Sequence, residues 1–460
     1  MYNHDDTIAA ISTPPGKGGV ALIRVSGKDA TAICARCLRL RSGRALADLP
    51  ARHTAYADFL DGKDAIDDVL VTVFRAPHSY TGEDTVEIAC HGGILLTGTI
   101  LSLLFVAGAR QAEAGEFTRR ALLFGKLTLS EAEGIGCLLE AESRAQIRLS
   151  AAPARTRLAD KLRGLREGML SLLSSLYAKI DYPDEDLADV SDTDLERALS
   201  SLLSDCRSLL ATYRTGHAVN EGIPTVLCGA PNVGKSSLYN LLAGEELAIV
   251  TAHAGTTRDV LSTSLSMGRV LLRLSDTAGL RDATDPVEEI GVARSRERMA
   301  GAELLLAVFD GTRVLRDEDF ALISELQKSD RCVIAIINKS DEKTVIDEDT
   351  LRKSLPHVLS MSAKTGEGQA ALIALIEELF IDGSLSLGED AVIASARQFG
   401  ALSRVEASLQ AALDATVAGM PADLSSSDLE RALSAFSELD GRAVNEEIVD
   451  EIFRRFCVGK

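Results

Sequence analysis

Residues 229–237, GAPNVGKSS, combine the types needed to hold a polyphosphate. They follow the apolar run TVLC and precede LYNLLAG, so the spacing predicts a strand, a loop and a helix in that order. Gly229 and Gly234 let the backbone N–H groups of the loop, through Asn232 and Val233, turn toward phosphate oxygens. The helix start at Lys235, Ser236 and Ser237 adds its own N–H groups. Lys235 reaches the outer phosphates, and the Ser236 hydroxyl is suited to Mg2+.

Three further motifs follow at intervals that fit one nucleotide. GTTRD (255–259) offers Thr257 to complete the Mg2+ shell. DTAG (276–279) follows the strand-like VLLRLS. Its Asp276 can hold a metal-bound water, Thr277 and Ala278 carry the loop on, and the Gly279 N–H can sense the terminal phosphate. NKSD (338–341) ends the apolar run CVIAII, with SAK (Ser362, Ala363, Lys364) behind it. The Asp341 carboxylate can accept two guanine N–H donors that adenine does not present, while Asn338 and Lys339 frame the base. A carboxylate facing the wrong base is left unpaired, so discrimination is strong. These residues predict a GTP hydrolase. NKSD disfavours an ATPase or kinase.

The residue after DTAG is Leu280, where Ras-type proteins carry a water-orienting Gln. Leucine cannot orient water. The next loop, LRDATDPVEEIGV, offers Arg281, Asp282, Asp285, Glu288 and Glu289, and nothing in the residues chooses among them.

These motifs need elements to position them. Residues 217–383 alternate strand-like and helical runs, the pattern of a mostly parallel sheet with crossovers. Residues 1–118 mix strand-like runs (VALIRVSG, DVLVTVF) with an apolar helix in GGILLTGTILSLLFVAGA, which indicates an α+β domain. Residues 119–216 and 384–460 are helical. In DTDLERALSSLLSDCRSLLATYRTG, Leu195, Leu199, Leu202, Cys206, Leu209 and Tyr213 recur at three- and four-residue steps. Asp192 or Asp194 is the expected cap and Gly216 the expected stop. DYPDEDL (181–187) breaks two such helices. Two helical blocks around an α/β block predict one split helical domain with the α/β domain inserted.

Lys and Arg number 49 and Asp and Glu 68, a net charge of −19 in 460 residues. That excludes a chain gripping nucleic acid by overall charge; an RNA role needs a local patch or a basic partner. Eight scattered cysteines indicate reduced thiols and a cytoplasmic compartment. Cys34 and Cys37 read as helix core. Residues 88–109 run 22 positions without Lys, Arg, Asp or Glu. Their glycines and missing basic flanks favour a buried strand, turn and helix over membrane insertion. No secretory leader opens the chain, and FCVGK at its end does not fit a prenyl-acceptor tail.

The chain resembles the MnmE (TrmE) family of tRNA-modification GTPases along essentially its whole length. The likeness rests on DTIAAISTPPGKGGVALIRVSG, SYTGEDTVEIACHGG, AGEFTRRALLFGKLTLSEAE, DYPDED, the nucleotide motifs and FCVGK. It implies an N-terminal folate-binding and dimerisation domain (1–118), a split helical domain (119–216 and 384–460) and an inserted Ras-like GTPase domain (217–383). It further implies a cytoplasmic homodimer that works with an FAD-dependent partner protein, as a heterotetramer. Together they place an aminomethyl or carboxymethylaminomethyl group on the wobble uridine of certain tRNAs.

By the same resemblance, K+ sits against Asn232 and the loop TAHAGTT, at Thr251, His253 and Thr256, with Ala252, Ala254 and Gly255 lining the nucleotide. It stands where an arginine finger would. Relatives usually have an aliphatic residue in place of His253. Glu288 matches the water-orienting glutamate. Arg24, Glu87, Lys126 and Lys460 match positions that contact formyl- or methylene-tetrahydrofolate. The Glu87 carboxylate suits pterin N–H groups, and the cations suit carbonyls or the glutamate tail. For Cys457 a chemical role and a packed thiol both stand open. The competing reading is a ribosome-assembly or regulatory switch GTPase without folate chemistry.

Overall fold

A computed structural model of the chain describes residues 6–181, 191–244, 262–275, 299–440, 452–454, 456, 458 and 459. These form two compact units, one of residues 1–136 with 436–460, the other of residues 137–435.

The first unit is built on seven strands: β1 (Ile8–Ile11), β2 (Gly18–Ser26), β3 (Leu38–Leu40), β4 (Thr54–Asp61), β5 (Asp64–Phe74), β6 (Thr85–Gly92) and β7 (Arg110–Gln111). They lie in the order β3-β4-β5-β6-β2-β1-β7, antiparallel except for β1 beside β7. Alternation decides the faces: Ile23, Val25, Phe59, Val71 and Ile88 are buried, while their neighbours Arg24, Asp58 and Glu87 point the other way. Helices α1 (Ala30–Cys37) and α2 (Ile94–Val106) bring Ile33, Cys34, Ile100 and Leu104 to the buried side.

The long uncharged stretch thus resolves into the end of β6, a turn and a 13-residue helix. Among the described residues no helix is long and apolar enough to cross a membrane. Cys34 and Cys37 are buried helix core, and burial pushes both thiols up. At Gly92 a Cβ would lie 2.4 Å from Gly18 O, so glycine is required where the strand meets the turn. Helix α3 (Glu116–Leu123) is tied down by buried charge. Arg120 reaches Asp6 (2.6 Å), Glu83 (3.1 Å) and Glu116 (3.1 Å), and Arg110 reaches Asp6 and Glu116. The chain's end docks here too: Val458 bridges Ala114, and Gly459 O accepts the Ser12 hydroxyl at 3.0 Å.

Helix α4 (Leu129–Leu139) leads to the second unit, which continues with α5 (Arg144–Leu149), α6 (Ala152–Asp181), α7 (Asp192–Ala211) and α8 (Tyr213–Asn220). Leu195, Leu199, Leu202, Cys206 and Leu209 are the buried face of α7, as their period requires. Both ends of that helix differ from expectation. Ser191, not Asp192 or Asp194, is the cap, its hydroxyl accepting the Asp194 N–H. Gly216 stops nothing. The chain turns at Thr212 and resumes as α8, where a Cβ on Gly216 would sit 2.0 Å from Ile393 O. Gly216 therefore serves close packing.

Helix α8 runs into β8 (Ile223–Cys228), and His217 guards the junction. Its Nδ1 lies 3.0 Å from Glu221 and its Nε2 3.2 Å from Glu303. The Glu221 hydrogen bond raises the imidazole's pKa against the effect of burial, and Glu303 adds to the rise. Burial pushes Glu221 up, but His217 holds it below its ordinary value. Tyr213 lies against the imidazole, Arg273 donates to Glu221 O and the Ala396 N–H donates to Glu221 Oε1. The stability His217 supplies is full below its unfolded pKa of about 6.5 and is lost as pH rises through the higher folded value. Glu221 works oppositely, its share being lost as pH falls through its depressed value. His217→Gln is expected to destabilise this unit by about 1–2 kcal/mol near pH 6. The difference should shrink toward alkaline pH in melting curves across that range; a gap independent of pH would assign the loss to packing instead.

The second sheet has the order β13-β12-β11-β8-β10-β9. Its further strands are β9 (Ser262–Met267), β10 (Val270–Ser275), β11 (Leu304–Asp310), β12 (Cys332–Asn338) and β13 (His357–Ser360). All neighbours are parallel except β9 against β10. The mostly parallel sheet read from the alternating runs is what forms. Leu304, Leu306, Val308, Ile334 and Ile336 fill one side of it, and Leu305, Phe309, Val333 and Ile337 the other. Near-continuous apolar strands are the expected consequence of covering both faces.

Candidate functional site: a nucleotide cradle on the parallel sheet

The carboxyl ends of β8, β11 and β12 carry the loops expected to hold the nucleotide, where open parallel sheets bind their ligands. Residues 229–234 turn from β8 into α9 (Lys235–Leu242). Three of them take left-handed backbone: Gly229 (φ 145°), Asn232 (φ 63°) and Gly234 (φ 98°). Gly229 is forced, since a Cβ would meet Val308 O at 2.3 Å. Gly234 is forced twice over, since a Cβ would also stand 2.2 Å from Asn338 Nδ2. Lys235 folds back across the loop and donates to Gly229 O and Ala230 O, both at 2.8 Å. Its partly buried ammonium has a lowered pKa, because desolvation disfavours the charge. Phosphate oxygens are the stronger acceptors for it. The side chains of Asn232, Ser236 and Ser237 make no hydrogen bond among the described residues. The exposed hydroxyl and amide oxygens of Ser236 and Asn232 are hard donors of the kind Mg2+ and K+ take.

The base-recognition motifs join this loop directly. Buried Asn338 donates from Nδ2 to Val233 O (2.8 Å) and accepts the Ala363 N–H at Oδ1 (2.9 Å). One side chain thereby links GAPNVGKSS, NKSD and SAK. Lys339, at φ 68°, extends to Asp310 (2.7 Å). Asp341 accepts the Ser362 hydroxyl at 2.6 Å and has Lys364 at 3.8 Å. The Ser362 bond holds its carboxyl below the ordinary value, so it is an anion. Ser362 also accepts the N–H groups of Lys364 and Thr365, which leaves the Asp341–Ser362 pair rigid.

Asp310 is a residue that motif reading passed over. Burial pushes its carboxyl up, but Lys339 and Thr312 hold it below its ordinary value. Its sign in the chain is an acid closing a wholly apolar strand, LLLAVFD. Residues 251–257, Asp276, Thr277, Ala278, Gly279 and Glu288 lie outside the described residues, as do Cys457 and Lys460.

In the first unit, Arg24 and Glu87 are cross-strand partners on β2 and β6. The guanidinium grips Glu87 Oε1 at 2.8–2.9 Å and lies 5.3 Å from the Tyr80 ring centre and 5.6 Å from that of Phe117. Glu87 Oε2 makes no hydrogen bond among the described residues. Lys126 donates to Pro77 O at 2.9 Å.

A family model described as the TrmE N-terminus of a GTP-binding protein matches residues 7–126, and one described as the MnmE helical domain matches residues 129–457. A protein named tRNA modification GTPase MnmE from Natranaerobius thermophilus is 41% identical over 99% of this chain and 100% of its own length. Proteins of the same name from Symbiobacterium thermophilum and Clostridioides difficile are 40% and 37% identical, each over 99% of this chain and 100% and 99% of their own.

Proposed function

This chain belongs to the MnmE family of tRNA modification GTPases, and from that premise we propose how it hydrolyses GTP and what the hydrolysis serves. Asn338 carries the reading of the site, because a single buried side chain joins the phosphate loop to both base-recognition motifs. The backbone of residues 229–237 and the Lys235 ammonium hold the phosphates, with Ser236 and Thr257 on Mg2+ and Asp276 and Gly279 facing the terminal phosphate. Asp341, kept anionic by Ser362, accepts the guanine N–H donors. Asn338, Lys339, Ala363 and Lys364 frame the base.

Leu280 leaves the attacking water without a side-chain partner, and Glu288 takes that part. K+, held by Asn232, Thr251, His253 and Thr256, supplies positive charge beside the phosphates, as an arginine finger would. The Asn232 amide, on a left-handed turn and without a hydrogen bond among the described residues, supports this assignment. Hydrolysis in K+ is therefore expected to exceed that in Na+ by about tenfold or more, up to the roughly 10²- to 10³-fold scale of one missing preorganised charge contact. Turnover measured at equal ionic strength checks it, and equal rates in the two salts would remove the monovalent ion from the mechanism.

In the same proposal residues 1–118 bind a formyl- or methylene-tetrahydrofolate through Arg24, Glu87, Lys126 and Lys460. Residues 217–383 form the GTPase domain, and residues 119–216 and 384–460 the split helical domain. Glu87 Oε2, without a hydrogen bond among the described residues, suits a flat ring that donates N–H groups, and the Arg24 guanidinium that grips Oε1 lies near the Tyr80 and Phe117 rings. The Ser12 hydroxyl donates to Gly459 O, and Ile11 O leaves no room for a Cβ there, which supports a role for the adjoining Lys460. Helix α2 carries no charge and exposes Ile94, Leu95 and Val106, an apolar face suited to a second copy of the chain. With an FAD-dependent partner, the homodimer adds a one-carbon-derived aminomethyl or carboxymethylaminomethyl group to wobble uridine in the cytoplasm. Mass spectrometry of wobble nucleosides from cells lacking the chain tests that output.

A further inference from the structure

With a net charge of −19, the chain needs some special place to meet a polyanion. A few stretches run against the overall balance, residues 144–166 and residues 36–53 among them. Residues 36–53, RCLRLRSGRALADLPARH, hold Arg36, Arg39, Arg41, Arg44 and Arg52 against the single acid Asp48. All five arginines are exposed. They sit on the end of α1, on β3 and on the loop that follows, and β3 is the outermost strand of its sheet.

Asp58 and Asp68 compensate part of this charge, Asp68 by accepting the Tyr56 hydroxyl and acting on Arg41 through space. Arg39 and Arg41 share one carboxylate, Asp58, at 3.0 and 2.9 Å, with 60% and 50% of their side chains still exposed. Arg36 donates to a neutral acceptor, Ala107 O. The side chains of Arg44 and Arg52 have no acidic partner among the described residues. Arg41 also lies 4.3 Å from the ring centre of exposed Tyr56.

The backbone beneath these groups is held in place. Arg41 N–H bonds Tyr56 O (3.0 Å), Gly43 N–H bonds Leu40 O (3.0 Å) and Arg52 N–H bonds Val73 O (2.7 Å), while Leu46 is buried. A charged residue on an edge strand deters strand addition, which accounts for Arg39. It does not account for Arg41, Arg44 and Arg52 beyond the strand, all of one sign.

We infer that this arginine edge is the surface on which the chain takes the sugar-phosphate backbone of tRNA. Planar guanidinium forks match phosphate oxygens, and a tyrosine ring already stacked under Arg41 offers a face for an unpaired base. The inference rests on the tRNA reading above and adds to it the site of contact.

The test measures binding of unfractionated tRNA to the full-length chain by fluorescence anisotropy over a series of salt concentrations. The variant R39Q/R41Q/R44Q is expected to bind about tenfold or more weakly at low salt. Its log–log salt slope should be shallower by about 2, since each phosphate contact contributes about 0.7–0.9. GTP hydrolysis without RNA should be unchanged, and R39K/R41K/R44K should recover most of the affinity. Asp58→Asn, which frees Arg39 and Arg41 from their shared carboxylate, should bind about threefold more tightly, a gain no misfolded variant would give.

Equal affinity and slope in wild type and the glutamine variant would overturn the inference. So would loss of an acidic protein partner with tRNA affinity intact. In cells, wobble modification restored by the glutamine variant as fully as by the wild-type chain overturns the surface alone. Wobble nucleosides unchanged by deletion of the chain would take down the tRNA reading itself, and this inference with it.

Discussion

Asp341→Asn is expected to weaken GTP binding on the order of 10³-fold, because the carboxylate that accepts the guanine donors is replaced by an amide whose N–H faces them. The same amide can donate to a ring that carries oxygen where guanine carries its amino group. Xanthosine triphosphate should therefore bind the variant better than GTP does, reversing the preference of the wild-type chain. The structure makes the effect local. Asp341 already holds the Ser362 hydroxyl at 2.6 Å, and an asparagine oxygen can keep that bond. Competition between the two nucleotides for a fluorescent analogue reads the outcome. Parallel loss of both affinities would show that Asp341 supports the loop rather than reading the base.

The second large effect belongs to Lys235. Lys235→Met keeps the apolar stem and removes the charge that faces the phosphates. We expect kcat/KM for GTP to fall about 10²- to 10³-fold, the scale of losing one preorganised charge contact to the transition state. Stability of the nucleotide-free protein should behave differently. Burial lowers the pKa of Lys235, so its charged form is disfavoured in the folded state at every pH below that value. Removing the charge offsets the two lost bonds to Gly229 O and Ala230 O. The melting temperature without nucleotide should therefore shift by no more than about 2–4 °C, while the stabilisation normally conferred by GTP disappears. A large drop without nucleotide would make Lys235 a brace for the loop rather than a ligand for phosphate.

Both residues were legible because their signal is local. A strand, a glycine turn and a helix in direct succession over residues 223–242 need only short-range geometry, and the left-handed angles at Gly229, Asn232 and Gly234 are those the turn demands. The same holds for the apolar strand before NKSD and for the buried face of α7, whose period is written in consecutive turns. The caps of α7 were less legible, since Ser191, Asp192 and Asp194 are all able to cap and only the entering backbone selects one. Gly216 looked like a stop because glycine often ends helices. Its actual constraint, the carbonyl of Ile393, comes from 177 residues further along.

What the chain determines by itself is the chemistry on offer: a phosphate loop, a base-reading carboxylate, apolar strands covered on both faces, and an acidic balance broken by arginine-rich stretches. Which of those groups meet is decided only by tertiary packing. Asn338 finds Val233 across 105 positions, Lys339 finds Asp310 on the neighbouring strand, and Arg24 finds Glu87 through sheet register. Pairings of that kind depend on strand order and close approach, which no local pattern of residues encodes.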